Sequence, residues 1–178
     1  SDAHCSIVGD PAFSSVAMIG KIFNLASAPT SLIKHFEEGL NGTSDIGLYS
    51  KRFLSSLDGQ YAFVLRWGDT LLLARDPIGV KPLYVGQNEQ VIAFSSRRRP
   101  LWALGLKDCK SLSQPVIISK RETRRISIGM KMEILKSEEN LAVESLALSL
   151  ESVVKKMVGE ARGKIAVLFS GGLDSSVV

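Results

Sequence analysis

Hydrophobic and polar positions between residues 5 and 135 form short runs typical of β-strands, with a few helical segments between them. Apolar runs at 61–67 and 70–75 flank Gly68-Asp69, a dipeptide that favours a tight hairpin turn. A second hairpin is predicted from the runs 83–85 and 90–94. Further strands are predicted at 5–8, 16–23, 116–120, 124–128 and 131–135. This pattern predicts an antiparallel, strand-rich α+β domain.

Apolar residues at helical spacing occur in the same region. They predict a helix over 31–40, and Thr30 or Ser31 can cap its N-terminus. A weaker helix is predicted over 46–57 and a short one over 98–104. Helices and antiparallel strands therefore alternate in the first 135 residues.

The pattern changes after residue 135. A charged break at 136–140 precedes an amphipathic helix over 141–158, and the apolar run 164–169 indicates a buried strand. We therefore predict one domain over 5–135, followed over 136–178 by a linker and the start of an α/β nucleotide domain. Residues 1–4 lack an initiator methionine and are interpreted as a cloning remnant.

Composition narrows the protein class only moderately. The 178 residues are 45% hydrophobic and 22% charged, as in ordinary globular proteins, and the net charge is +4. The basic clusters 97–99 and 120–125 have no interleaved aromatic residues, so we interpret them as solvated surface and not as a nucleic-acid site.

The cysteine count and the length of the apolar runs indicate where in the cell the protein resides. Cys5 and Cys109 form neither a disulfide framework nor a metal-ligand cluster, which favours reduced thiols and a cytoplasmic protein. No apolar run approaches the roughly 18 residues that a membrane span needs. We therefore expect no membrane association.

The segment Ser170-Gly171-Gly172-Leu173-Asp174-Ser175-Ser176 follows the last apolar run. It lacks the lysine of a P-loop and instead resembles the pyrophosphate loop of ATP-dependent adenylating enzymes. The resemblance implies that its serines and glycines hold the phosphates of ATP, while Asp174 helps to hold Mg²⁺, a cation that prefers oxygen ligands. A plain small-residue turn between a strand and a helix is the alternative. The residues implied in phosphate binding are Ser170, Gly171, Gly172, Asp174, Ser175 and Ser176.

Two upstream motifs refine this resemblance. Residues 57–63 read L-D-G-Q-Y-A-F, and residues 74–84 read A-R-D-P-I-G-V-K-P-L-Y. Together with the 170–176 loop they resemble the asparagine synthetase family, particularly its archaeal-type members. Amidophosphoribosyltransferases share the second motif but lack the loop. The resemblance implies an N-terminal-nucleophile fold, an αββα sandwich of antiparallel sheets. We expect Asp76 and Arg75 to be turn and salt-bridge residues, with direct catalysis as the alternative.

In this family the nucleophile is an N-terminal cysteine. The run C-S-I-V-G at 5–9 matches the family pattern, so Cys5 is the candidate nucleophile for attack on the side-chain amide of glutamine. Its free α-amine would serve as the base if residues 1–4 are a remnant. A buried, inert cysteine on a strand is the alternative.

Several positions depart from the family pattern. The family's H-R-G-P-D segment has no counterpart between residues 9 and 21, Ile19 stands where an asparagine supplies an oxyanion donor, and Lys21 replaces a glutamate that helps to bind the substrate ammonium. Asp45 is the remaining candidate for an ammonium contact. We therefore predict a degenerate glutaminase site.

Three functional hypotheses follow. The first is the N-terminal part of an ATP- and Mg²⁺-dependent amide ligase that activates a carboxylic amino acid such as aspartate and favours ammonia over glutamine as nitrogen source. The second is a working glutamine amidotransferase. The third is a non-catalytic scaffold for dimerisation or docking, and a homodimer is left open. On the first hypothesis, we expect this chain by itself to be inactive.

Overall fold

The computed structural model describes residues 6–10, 13–25, 29–40, 45–119, 123–128, 139–159, 163–172 and 176. It divides into two compact units, Ser1–Met130 and Lys131–Val178. The boundary lies five residues before the one proposed from the sequence.

The first unit contains two antiparallel sheets. The larger has the strand order β1-β2-β3-β4-β8-β9 and the smaller has the order β6-β5-β7. The strands are β1 Ser6–Gly9, β2 Ser14–Ile22, β3 Gly59–Trp67, β4 Thr70–Arg75, β5 Tyr84–Gln87, β6 Ile92–Ser95, β7 Lys110–Ser111, β8 Val116–Ile118 and β9 Thr123–Arg125. The helices of this unit are α1 Pro29–Leu40, α2 Ile46–Ser56 and α3 Arg98–Ala103.

Alternation along β3 explains how the layers hold together. One face of the strand carries Tyr61, Phe63 and Leu65, which pack with α1 and α2 in the larger apolar cluster. The other face carries Ala62 and Val64, which pack in a second cluster with buried residues of the smaller sheet region. Because both faces are buried, β3 lies between two apolar layers, and α3 contacts the smaller sheet at β5 and β6.

Both predicted hairpins are confirmed. The first turns at Gly68, whose φ of +56° is the left-handed conformation that glycine adopts readily. In the second, the turn lies at 88–91 and not at 86–89, because the Asn88 side chain accepts hydrogen bonds from the N–H groups of Gln90 (3.0 Å) and Val91 (2.8 Å). The strand predicted over 131–135 lies outside the described residues.

The helices of the first unit are confirmed: α2 and α3 begin at the predicted residues, and α1 begins two residues earlier than predicted. Helix α1 begins at Pro29, so Thr30 and Ser31 lie in its first turn and not at its cap. Proline suits this position because the first N–H of a helix has no intrahelical partner. Helix α2 runs without interruption through the buried Gly47.

Among the described residues of the second unit, the long helix is α4 Glu139–Gly159, where the sequence predicted a helix over 141–158. The buried strand predicted over 164–169 is wrong. These residues have no strand partner among the described residues, and Leu168 and Phe169 are 94% and 70% exposed. An extended apolar segment becomes a buried strand only when neighbouring strands satisfy its N–H and C=O groups. No helix in the described part of the chain could span a membrane.

Candidate functional site

The candidate glutaminase site centres on β2, between β1 and β3. Ser6, the first residue of β1, lies opposite Met18, and Ile19 lies opposite Ala62 on β3. Cys5 itself lies outside the described residues. Ser6 directly follows Cys5 in the sequence. Its pairing with Met18 therefore places it beside β2, one position away from Ile19.

Ile19 has an apolar environment. Successive β2 residues point to opposite faces, so Met18 packs on the cluster that contains α1 and α2, while Ile19 packs on the cluster around Ala62 and Val64. The Ile19 side chain thus makes hydrophobic contacts where the resembled family has a hydrogen-bond donor. It offers nothing to stabilise an oxyanion.

Gly20 marks a close approach between β2 and its neighbours. Its φ is +93°, and a Cβ at this position would overlap the Gln60 carbonyl oxygen and lie 3.0 Å from Lys81 Cγ. The aliphatic stem of Lys81 therefore lies over the backbone of Gly20. With Lys21 next along β2 and opposite Gln60, this part of the site carries two lysines.

The position of Lys81 depends on Asp76, which is only 2% exposed. Asp76 Oδ1 accepts hydrogen bonds from the N–H groups of Gly79 (2.6 Å) and Val80 (2.9 Å), and Oδ2 accepts one from Lys81 N–H (3.0 Å). One buried carboxylate thus folds the 76–81 segment into a compact turn, and that turn places Lys81 beside β2. The turn role expected for Asp76 is confirmed.

The same carboxylate influences Tyr61 on β3. The Asp76 N–H donates a 2.7 Å hydrogen bond to the Tyr61 carbonyl oxygen, which ties the turn to the sheet. Burial, and secondarily the negative charge of Asp76, raise the pKa of the Tyr61 phenol to about 12. Tyr61 is therefore neutral across the physiological range and acts as a core residue.

Arg75 does not form the expected salt bridge with any residue that the structure describes. Among the described residues no carboxylate lies within 4.0 Å of its guanidinium, and its Nη1 contacts Ser111 Oγ at 3.4 Å. The Asp76 carboxylate next to it in sequence is occupied by backbone N–H groups. The guanidinium instead lies over Gly79, where the absence of a Cβ leaves room for it. The φ of +80° at this position also favours glycine.

Asp45 caps helix α2. Its Oδ1 accepts hydrogen bonds from the N–H groups of Gly47 (2.8 Å) and Leu48 (3.1 Å), and Arg124 Nη1 lies 3.3 Å from the same oxygen. The backbone hydrogen bonds from Leu48 and Gly47, and then the Arg124 charge, lower the pKa of the Asp45 carboxyl. The contact between Asp45 and a substrate ammonium remains a prediction, and the structure adds a resident cation beside this carboxylate.

The Arg124 contact could not be foreseen, because Arg124 lies 79 residues from Asp45 along the chain. No local pattern connects them, and only the position of β9 brings the guanidinium to the start of α2. The position of Lys81, in contrast, had a sequence signal in the A-R-D-P-I-G-V-K run, whose aspartate and glycine are typical turn residues.

The 170–176 loop belongs to the second unit and is described in part. Gly171 has a φ of +75°, the Gly172 N–H donates to Ser170 Oγ (3.3 Å), and the Ser176 hydroxyl donates to the Gly172 carbonyl (2.8 Å). Asp174 and Ser175 lie outside the described residues. The Gly172 and Ser176 N–H groups thus donate within the loop, to Ser170 Oγ and to the Gly172 carbonyl oxygen (3.2 Å).

The sequence of residues 11–103, more than half of the chain, matches the family model of the glutamine amidotransferase domain. The chain belongs to this amidotransferase family. The match spans β2, the Asp76 turn and α3.

Two curated relatives extend the similarity over most of the chain. A Methanocaldococcus jannaschii protein named as an asparagine synthetase (glutamine-hydrolysing) is 28% identical over 183 residues, covering 89% of this chain and 34% of that protein. A Dictyostelium discoideum protein with the same designation is 30% identical over 180 residues, covering 89% and 31%. The amidotransferase domain described here is therefore of the asparagine synthetase-like type, and the chain spans about a third of the length of these relatives.

A solved structure supports the fold. The allosteric regulatory enzyme of purine biosynthesis matches with a TM-score of 0.52 and 19% identity, covering 71% of this chain and 32% of the other. At this identity the likeness concerns the fold alone. The predicted α+β sandwich of the N-terminal-nucleophile type is confirmed.

Proposed function

We propose that this chain is the amidotransferase-like N-terminal region of an asparagine synthetase-like, ATP-dependent amide ligase, and that its glutaminase site does not hydrolyse glutamine. The similarity to two asparagine synthetases over 89% of the chain supports the ligase assignment. The packing of Ile19 in the apolar cluster between the sheets is the observation that carries the loss of glutaminase activity.

The cost of Ile19 follows from the chemistry of amide hydrolysis. Attack on a side-chain amide places negative charge on its oxygen, and losing one oxyanion donor lowers the rate by roughly 10²–10³. A small rotation of Ile19 cannot restore the donor, because the side chain has no polar atom. Its apolar neighbours would also leave an asparagine amide at this position poorly hydrogen-bonded.

Charge at the site acts in the same direction. Glutamine presents an α-ammonium group, and Lys21 stands where the family places a carboxylate. Asp45, the remaining acidic candidate, is already paired with Arg124 and with two backbone N–H groups. Lys21 would repel a cationic substrate group, and Arg124 would compete with that group for the Asp45 carboxylate.

These features favour ammonia as the nitrogen donor and a carboxylic amino acid such as aspartate as the acceptor. ATP supplies the activation of the acceptor carboxylate. In this scheme Ser170, Gly171, Gly172, Ser175 and Ser176 would hold its phosphates, and Asp174 would contribute an oxygen ligand to Mg²⁺. The N–H groups of this loop would offset the charge on the departing pyrophosphate.

The test uses the full-length protein encoded by the same reading frame, prepared with Cys5 as its first residue, and the matched Cys5→Ala variant. Each is incubated with ATP, Mg²⁺ and a panel of carboxylic amino acids, with either ammonium or glutamine. We expect ammonium-dependent release of AMP and pyrophosphate with one of the acids. We also expect no glutamate release above background, and equal behaviour of the two proteins.

Two results would overturn this proposal. Glutamate release that disappears in Cys5→Ala would identify a working glutamine amidotransferase. Failure of every acid to support ATP cleavage with either nitrogen donor would reject the ligase and favour the scaffold hypothesis.

A further inference from the structure

The outer face of the smaller sheet carries a row of polar side chains. Tyr84 on β5 lies opposite Ser95 on β6 and opposite Ser111 on β7, so the three side chains share one face. The neighbouring residues Val85 and Phe94 point to the other face and pack in the apolar cluster between the sheets. The Ser95–Tyr84–Ser111 row therefore points away from that cluster.

Two guanidinium groups lie on this row. The Arg98 Cζ atom is 5.0 Å from the centroid of the Tyr84 ring, and Arg75 Nη1 is 3.4 Å from Ser111 Oγ. Since Tyr84 and Ser111 are directly paired, the two arginines contact adjacent positions of a single row. They come from segments more than 20 residues apart, and the sheet brings them together.

The positive charge of this cluster is not compensated locally. In the part of the chain that the structure describes, no carboxylate lies within 4.0 Å of Arg75, Arg98 or the flanking Arg97 and Arg99. Asp76, the nearest acid in sequence to Arg75, is buried and accepts three backbone hydrogen bonds. The arginines therefore keep donor groups free for an external anion.

An aromatic side chain adjoins the cluster. Trp102 lies four residues after Arg98 on α3, so the two side chains project from the same side of the helix. The Trp102 side chain is 48% exposed. An exposed indole beside guanidinium groups offers a planar surface on which a heterocycle can stack.

We infer that Arg75, Arg98 and Ser111 bind the phosphoryl group of a nucleoside phosphate, and that Trp102 stacks against its base. Guanidinium groups bind phosphate through paired hydrogen bonds, and two of them match the charge of a phosphate dianion. A long single strand of nucleic acid would need several aromatic platforms along a groove, whereas α3 presents one. The cluster is compact and suits a mononucleotide.

The experiment uses Trp102 as its own reporter. The chain has two tryptophans, so Trp67→Phe leaves Trp102 as the sole indole. In this background the full chain is titrated with AMP, ADP and inorganic phosphate while its fluorescence is followed. We expect saturable quenching by the nucleotides, and we expect inorganic phosphate to compete for the site without quenching.

Matched variants identify the residues responsible. Arg75→Gln and Arg98→Gln should each weaken nucleotide binding by about tenfold, the order expected for one charge-assisted hydrogen bond. Arg125→Gln, which removes an exposed arginine from β9, should leave binding unchanged. Arg98→Lys should recover only part of the affinity, because an ammonium group cannot form the paired hydrogen bonds.

Several outcomes would reject the inference. One is the absence of saturable quenching, and another is equal weakening by Arg125→Gln and Arg98→Gln, which would indicate non-specific charge attraction. A third is preferential binding of a single-stranded oligonucleotide whose affinity depends on Arg97 and Arg99, which would indicate a nucleic-acid surface. Matching circular dichroism spectra and unfolding midpoints of the variants would show that the losses do not come from misfolding.

Discussion

Single residues with buried polar groups organise the environment of the candidate site. The carboxylate of Asp76 stabilises the turn that carries Lys81. The backbone N–H of Asp76 donates a hydrogen bond to Tyr61 and so links that turn to β3. The A-R-D-P-I-G-V-K run predicted this turn, because aspartate and glycine have well-defined roles in tight turns. The burial of the carboxylate and its influence on Tyr61 depend on the sheet and were not predictable from the run.

At the scale of single residues, we predict that the free energy of unfolding falls at alkaline pH because of Tyr61. Its pKa is about 12 in the folded protein, against 10.0 for an ordinary tyrosine in water. The unfolded chain therefore ionises first, so the stabilisation is complete below pH 10 and is lost as the pH rises from 10 towards 12. The expected contribution is on the order of 2 kcal/mol.

Urea denaturation of the wild-type chain and Tyr61→Phe at pH 9, 10 and 11 measures this effect. The free energy of unfolding should fall with pH more steeply in the wild-type chain. Parallel pH profiles for the two proteins would contradict the assignment, because lysine and other tyrosine titrations contribute equally to both.

At the scale of the elements, the pairing of β2 with β3 is the feature on which the site depends. The hairpins and helices followed from patterns within a few residues and are confirmed, apart from the turn of the second hairpin and the first residue of α1. The strand predicted over 164–169 was wrong because an apolar run does not contain its own ladder partners. The face on which Ile19 packs could not be read from one strand, since both faces of β2 meet apolar layers.

The β2–β3 pairing gives a prediction with an internal control. Gly20 and Gly68 both have positive φ values, but only at Gly20 would a Cβ overlap a neighbouring backbone carbonyl. Gly68→Ala should cost about 1 kcal/mol, the conformational penalty alone, whereas Gly20→Ala should cost roughly 2–4 kcal/mol because strain and overlap add.

Equilibrium denaturation of the two variants distinguishes these costs. The unfolding midpoint of Gly20→Ala should lie clearly below that of Gly68→Ala. Equal midpoints would mean that β2 and β3 can separate enough at Gly20 to accept a methyl group, and that the close approach of Lys81 is not constrained.

At the scale of the whole molecule, the buried core of the described residues lies in the first unit. The buried apolar side chains among the described residues lie between Val16 and Ile126, whereas the described side chains of α4 are exposed apart from the half-buried Val154. We therefore predict that residues 1–130 fold without the second unit.

Thermal unfolding followed by circular dichroism tests this prediction. The 1–130 fragment should unfold cooperatively with a Tm within about 3 °C of the full chain, which corresponds to less than about 1 kcal/mol. A non-cooperative transition, or a loss of more than about 8 °C, would show that the second unit stabilises the first.

The sequence by itself determined the features that arise within a few neighbouring residues. These are the hairpins, the helices, the Asp76 turn and the motifs that indicated an asparagine synthetase-like amidotransferase domain. Their physical basis is local, because the periodicity of apolar residues and the conformational preferences of turn residues depend only on nearby positions in the sequence.

Only the tertiary structure decided which distant residues meet. Strand order and register place Ile19 in an apolar cluster, bring Arg124 to Asp45, and gather Arg75 and Arg98 on one face of the smaller sheet. A shift of one residue in the register of a strand would turn its side chains to the opposite face. The chemistry of the candidate sites is therefore set by pairings between strands, which no single segment of the chain contains.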